Sequence, residues 1–206
     1  TPYADVELET TYDYNPDKAN QLLDEAGWVM NESTGIREKD GEPLNLLLTL
    51  ESDYSATSMP TAEVIKSQLA EVGIDVTIYG TEQMQWYADY LEGKFDLTLW
   101  HSQFAFASPH CWFTPMDSMV PQTPSLPGIE GSDEFLATIK DLTNMVDEQE
   151  VRDTYTYLFN FDIGTVLDIP LTYQKDMIVY NTDKISGYTF TGTPYFFDIL
   201  SLEPAE

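Results

Sequence analysis

Apolar positions along the chain fall into two rhythms, and their alternation predicts most of the elements. Ala19, Leu22, Leu23 and Ala26 share one face at helical spacing. Asn15 caps that helix and Pro16 opens it. Gly27 is its C-terminal stop, with Trp28 packed behind it. A polar turn follows from Asn31 to Glu42, with Thr34-Gly35 and Asp40-Gly41 as turn signals. Leu44 to Leu50 reads as a buried strand. Thr61 to Val72 reads as a helix with Ala62, Ile65, Leu69 and Val72 inward, ended by Gly73. Ile74 to Tyr79 is a second strand, Glu82 to Leu91 a short helix with Met84, Tyr87 and Leu91 on one side, and Phe95 to Trp100 a third strand. Strand–helix–strand–helix–strand is the order of parallel pairing with right-handed crossovers.

After Trp100 the rhythm breaks. Pro109, Pro115, Pro121, Pro124 and Pro127 punctuate residues 107 to 131 and predict a long loop, of the kind that is functional or disordered in compact domains. Two helices are predicted beyond it, Ser132 to Val146 and Glu148 to Phe161, with Ser132 as cap and Asp133 and Glu134 favouring the first turn. Ile169 to Tyr173 and Met177 to Asn181 read as strands, and the tail from Thr182 is polar and aromatic with weak periodicity.

Composition narrows the function classes. The 206 residues are 42% hydrophobic and 13% aromatic, enough for a real core in one large or two small domains. The chain has no run of about 18 apolar residues to span a membrane. It opens at Thr1 without Met and without a basic–apolar–small leader, which suggests a piece cut from a longer protein. Thirty-six acidic against 9 basic residues leave a net charge of −27. Phosphate contacts need clustered Lys and Arg, so nucleic acid is excluded as a partner and anionic lipid is disfavoured. The acidity fits solubility in a salt-rich or acidic habitat, or a field that concentrates cationic ligands. The single cysteine, Cys111, allows no internal disulfide.

The chemistry-bearing stretch is Phe95 to Pro115, FDLTLWHSQFAFASPHCWFTP. An apolar strand runs into an aromatic segment that holds both histidines, His101 and His110, and Cys111. A loop this apolar needs cover from protein or ligand, and in α/β folds ligands sit at the carboxyl ends of strands. Trp100, Phe104, Phe106, Trp112 and Phe113 read either as core packing or as the wall of a small-molecule site. His110-Cys111 with Met116 and Met119 offers soft donors, but adjacent residues rarely both reach one ion, and a loop histidine beside a buried free thiol is the plainer reading. GxGxxG, P-loop, HExxH and GxSxG patterns are absent, so no catalytic residue is named.

Several segments together resemble a known family. TPYADVELETTYDYNPDKANQLLDEAGW, REKDGEPLNLLL, AEVIKSQLAEVGIDVTIYG, YADYLEGKFDLTLWHS and IPLTYQKDMIVYN are similar, in order, to the C-terminal lobe of the family 5 extracellular solute-binding proteins of ABC importers. The YxPxKAxxLLxEAGW and LxxVGIxV patterns are fairly specific to it, and PYAD with FDLTLWH…PH looks most like its nickel-binding branch. The resemblance implies an α/β lobe of the type II periplasmic-binding-protein kind. Such a lobe has a mixed, mostly parallel sheet flanked by helices and a long Pro-rich loop. It implies residues 1–180 as that lobe and a tail, 181–206, that returns to an N-terminal lobe outside this chain. It implies no enzyme activity and no cofactor. It implies an extracytoplasmic, periplasmic or lipoprotein location, and an ABC permease as partner.

In that family the solute sits between the lobes, and arginines of the other lobe hold the carboxylates of a nickel chelate. Carried over by position, Phe104 falls where relatives have a tryptophan against the ligand, and Phe106 or Ala107 near a ligand-wall tyrosine. Tyr87 matches a tyrosine on the short helix, and Thr193 a threonine that returns to the cleft. Nickel-binding relatives place a metal-contacting histidine after the PH pair, whereas residues 111 to 135 here contain none. Either His110 or Met119 substitutes, or the chelate binds without a protein ligand, or the solute is a short peptide or another small molecule. An interaction domain that uses the aromatic loop against a protein partner is the reading from another class.

Overall fold

A computed structural model describes residues 3, 5–101, 109–117, 124–172, 177–190 and 198–205. The chain divides into two compact units, residues 11–101 with 120–128, and residues 1–10 with 102–119 and 129–206.

The first is an α/β unit. Helix α1 (Pro16–Glu25) starts as predicted, with the Asn15 side chain accepting from the Lys18 N–H at 2.9 Å. The region from Asn31 to Glu42 is more than a polar turn. Strands β1 (Val29–Asn31), β2 (Ile36–Lys39) and β3 (Glu42–Pro43) form an antiparallel meander, and the two dipeptides foreseen as turns are its corners. Strand β4 (Asn45–Glu51), helix α2 (Ser58–Ala70), strand β5 (Asp75–Thr81), helix α3 (Gln83–Leu91) and strand β6 (Leu97–Thr98) then give a parallel sheet in the order β5-β4-β6. The register runs from Asn45 opposite Asp75 to Glu51 opposite Thr81. The central strand is buried from Leu48 to Glu51, and Leu48, Leu50, Ala62 and Val76 make the core, with Ile65, Leu69, Ile78 and Leu97 packed against it. The face of α3 differs from the expected one. Trp86, Asp89 and Tyr90 are buried while Met84 is 70% exposed, because the Trp86 indole reaches the sheet and donates to Thr98 Oγ1 at 3.2 Å.

One residue ties this unit together. Arg37 on β2 is 3% exposed. Its Nε donates to the Val72 carbonyl at 2.8 Å, Nη1 to the Trp28 carbonyl at 2.5 Å and to Asp24 Oδ1 at 2.6 Å, and Nη2 to Asn20 Oδ1 at 2.7 Å. Its backbone N–H bonds the Gly73 carbonyl at 2.8 Å. Gly73 has φ +82, and a Cβ there would come within 2.6 Å of Met30 Cε and 2.9 Å of Arg37 Cγ, so the α2–β5 corner admits only glycine.

The second unit is mainly helical. Part of the Pro-rich stretch is ordered as α4 (His110–Phe113) with a 3₁₀ turn at Thr114–Asp117; the η turn at Leu126–Gly128 belongs to the α/β unit. Helices α5 (Ser132–Leu142) and α6 (Glu148–Gly164) follow. Ser132 is not the cap of α5. Gly131, at φ +87, holds that position, and Ser132 is the first helical residue. Asp147 caps α6, accepting from Gln149 and Glu150 N–H groups at 3.0 Å each. Phe113, Phe135, Ile139, Tyr155 and Leu158 are the core, with Phe135 stacked on Phe161 at 4.4 Å between centroids. The N-terminal segment lies along α6: Tyr3 meets Tyr155 at 4.7 Å, Arg152 pairs with Asp5 at 2.8 Å, and the Glu9 N–H donates to Asn160 at 2.7 Å. The strands expected at 169–173 and 177–181 form no ladder among the described residues, and Met177 and Val179 are 90% and 96% exposed; strand-forming composition makes no strand without a neighbour to bond. In the tail, β7 (Ile185–Tyr188) pairs antiparallel with β8 (Leu202–Pro204).

Helices α1, α2 and α3 all close through a left-handed glycine, and α6 closes the same way without one. Val166 has φ +57, its N–H bonds the Ile163 carbonyl at 3.1 Å, and the Leu167 N–H bonds the Asp162 carbonyl at 3.1 Å. A β-branched residue is strained there, so Val166→Gly is expected to raise stability by about 1 kcal/mol in urea unfolding. Arg37→Ala is expected to lower it by about 3 kcal/mol or more, because charge-assisted hydrogen bonds at about 1.5–3 kcal/mol each are lost and buried carbonyls are left bare. Arg37→Lys recovers only part of that loss, since an ammonium cannot reproduce the planar fork.

Candidate functional site

The carboxyl edge of the parallel sheet gathers the polar and aromatic side chains of the α/β unit. Just past β4, the Tyr54 ring lies on the His101 imidazole, with centroids 4.0 Å apart and planes at 17°. Ser58, in the first turn of α2 and 2% exposed, places Oγ 3.3 Å from His101 Nε2. At the end of β4, burial and then the nearby Asp53 charge raise the Glu51 carboxyl above its ordinary value. Thr81 Oγ1, at the end of β5, is sealed from solvent without a partner among the described residues. Beside them Trp100 tilts against Trp86 and Tyr90, at 5.1 and 4.9 Å, and Tyr87 stacks with Tyr90 at 6.4 Å. Tyr54, Ser58 and Glu51 carry no signal in the sequence. Their gathering follows from where β4 ends, which the spacing of apolar residues locates only roughly.

Of the residues singled out from sequence, Tyr87 is half-buried on α3 in this unit and His110 is half-buried at the start of α4 in the helical unit. Phe104, Phe106, Ala107, Met119 and Thr193 lie outside the described residues. The aromatic set divides. Phe113 is fully buried and belongs to the core, Trp100 is 39% exposed, and the Trp112 indole N–H donates to Asp162 at 3.4 Å. Cys111 is exposed rather than buried, because the short helix turns Phe113 inward instead. Met116 is buried and fills the core. Both arginines are engaged within the chain: Arg37 is enclosed in the α/β unit and Arg152 pairs with Asp5. Among the described residues, no group of three or more His, Cys, Asp or Glu side chains is placed to hold a metal ion.

The comparisons with known proteins bear on what such a unit belongs to. The sequence model described as bacterial extracellular solute-binding proteins, family 5 Middle, matches residues 1–123. The chain belongs to this family. Its members are solute-binding proteins of ABC importers, not enzymes. The chain is 28% identical over 181 residues to the nickel-binding periplasmic protein of Escherichia coli strain K12, a match that covers 86% of this chain and 34% of that protein. It is 42% identical over 69 residues to the oligopeptide-binding protein OppA of Lactococcus lactis subsp. lactis strain IL1403, covering 34% of this chain and 11% of that one. Among solved structures, NikA from Brucella suis in complex with Fe(III)-EDTA superposes with a TM-score of 0.87 at 28% identity, over 98% of this chain and 40% of NikA. The chain thus spans about a third of the curated relative matched over most of its length. Its fold is the type II periplasmic-binding-protein α/β fold.

His101 offers a check on the site geometry. Burial lowers its pKa below the ordinary 6.5. The folded protein therefore binds fewer protons at this position than the unfolded chain between the lowered value and 6.5, and stability rises with pH through that window. A ¹H NMR titration should find the His101 ring titrating below free histidine, and His101→Gln should remove that part of the pH slope in urea unfolding below pH 6.5.

Proposed function

We propose that this chain is the C-terminal lobe of a solute-binding protein that delivers nickel, as a small carboxylate chelate, to an ABC importer. The observation that carries this reading is the likeness over nearly the whole chain to a protein solved with Fe(III)-EDTA, a metal wrapped in a carboxylate chelator. The nickel-binding relative from Escherichia coli, matched over most of this chain, supports the same cargo. In this reading the cleft between the lobes is half formed by this chain: Tyr87, Phe104 and Phe106 are its aromatic wall, Thr193 returns to it, and His110 is the residue available to the metal. The N-terminal lobe supplies the arginines that hold the carboxylates, and residues 181–206 cross back to it. The protein works outside the cytoplasm, in the periplasm or as a surface lipoprotein, with an ABC permease as its partner.

A short peptide is the second reading, supported by the higher identity of one third of the chain to a peptide-binding relative. Calorimetry on the full two-lobed protein separates the two. Nickel with histidine is expected to give heat where short peptides give none, and Phe104→Ala is expected to weaken binding on the order of tenfold. Heat with peptides alone selects the second reading, and no heat with nickel, nickel–histidine or peptides overturns both.

A further inference from the structure

Side chains along β4 alternate between two covers. Leu48 and Leu50 pack with Ala62 of α2. Thr49 turns to α3, where it donates to Thr98 Oγ1 at 3.0 Å, the same oxygen that accepts from the Trp86 indole at 3.2 Å. Glu51 is two residues beyond Thr49 and so stands on the α3 face, at the carboxyl end of the strand. It is 9% exposed. Among the described residues its carboxylate accepts no hydrogen bond and pairs with no cation.

The register gives Glu51 two neighbours. On β5 it is paired with Thr81, whose Oγ1 is sealed from solvent without a partner among the described residues. On the other side Thr49 pairs with Thr98, and the Leu99 N–H extends that pairing to the Thr49 carbonyl at 2.9 Å. Trp100 therefore comes level with Glu51 on the same face. Its ring agrees, resting against Trp86 and Tyr90 of α3 at 5.1 and 4.9 Å. Thr81, Glu51 and Trp100 make one row across the sheet, with about 4.8 Å between neighbouring strands. Thr81 closes one end of the row, and Trp100, 39% exposed, leaves the other end open.

The row lacks a donor. A carboxylate taken out of water without a counter-charge is costly, and an unfilled hydroxyl beside it adds to that cost. Burial and the Asp53 charge both oppose the ionised form of Glu51. One cation would satisfy both groups, and the third member of the row selects its kind. A hard metal ion gathers six or more oxygens, whereas this row offers one carboxylate, one hydroxyl and an indole. An ammonium is drawn to an indole face as well as to a carboxylate. It must also carry N–H groups to fill the Thr81 hydroxyl, which a fully methylated nitrogen cannot do. We propose that Glu51, Thr81 and Trp100 bind a primary ammonium group. The carboxylate is its counter-ion, Thr81 Oγ1 its hydrogen-bond acceptor and the indole its cation–π platform. The site stands whether the transported solute is a nickel chelate or a peptide, since all three residues belong to the α/β unit.

The test is a titration of the 206-residue chain with butylammonium chloride at constant ionic strength. It is followed by NMR of ¹³C-labelled glutamate carboxyls and of the tryptophan indole N–H groups. The carboxyl resonance lost in Glu51→Gln should shift saturably with a midpoint on the order of millimolar, and the indole resonance lost in Trp100→Leu should move with it. Glu51→Gln is expected to weaken binding about tenfold or more, and Trp100→Leu about threefold. Tetramethylammonium and calcium should each require several-fold higher concentrations than butylammonium. If Glu51→Gln does not fold, Thr81→Val is the second variant, and it should weaken butylammonium binding while leaving tetramethylammonium unchanged. The proposal is overturned by the absence of a saturable shift up to about 100 mM, by undiminished binding in Glu51→Gln, or by a tighter response to calcium or tetramethylammonium.

Discussion

The guanidinium of Arg37 is where the α/β unit converges. A planar fork with fixed N–H directions bonds α1 through Asn20 and Asp24, the end of its closing turn through Trp28, and the α2–β5 corner through Val72. α1 has no fully buried residue, and the meander strands are short. The hydrophobic core lies elsewhere, around Leu48, Leu50 and Val76. One buried cation therefore does for the N-terminal elements what apolar burial does for the sheet. It can do so because nearly every donor it brings out of water finds an acceptor. A glycine at position 73 is part of the same arrangement, since any side chain there would displace the arginine stem.

The helical unit is held differently. Aromatic rings of α4, α5 and α6 pack edge and face, and the N-terminal segment is laid against α6 by a ring contact, an ion pair and a backbone–amide bond. Within this apolar packing sits Asp162, 4% exposed, which accepts from the Trp112 indole N–H of α4.

Family membership fits a chain with aromatic and hydroxyl side chains at the carboxyl edge of a parallel sheet. β4, paired on both sides, holds that edge in place. Tyr87 was named as a candidate site residue only through the resemblance, whereas His110 was singled out first by its place beside Cys111. Their spacing in the chain carries no signal of its own, because they sit on different elements in different units.

The sequence alone determined the strand–helix–strand–helix–strand order of the parallel sheet, the cap at Asn15 and the glycine stops, since these depend on periodicity and on local backbone geometry. Its charge count also argues against nucleic acid as a partner, since phosphate contacts need clustered Lys and Arg. Only the tertiary structure decided which face of α3 is buried, since Trp86 and Met84 are equally apolar and a bond to Thr98 separates them. The same holds for the short meander, whose strands exist because they pair with one another. It holds for the exposure of Cys111 and the enclosure of Arg37. In each case the deciding energy comes from a partner far away in the chain, and no local pattern records which partner will arrive.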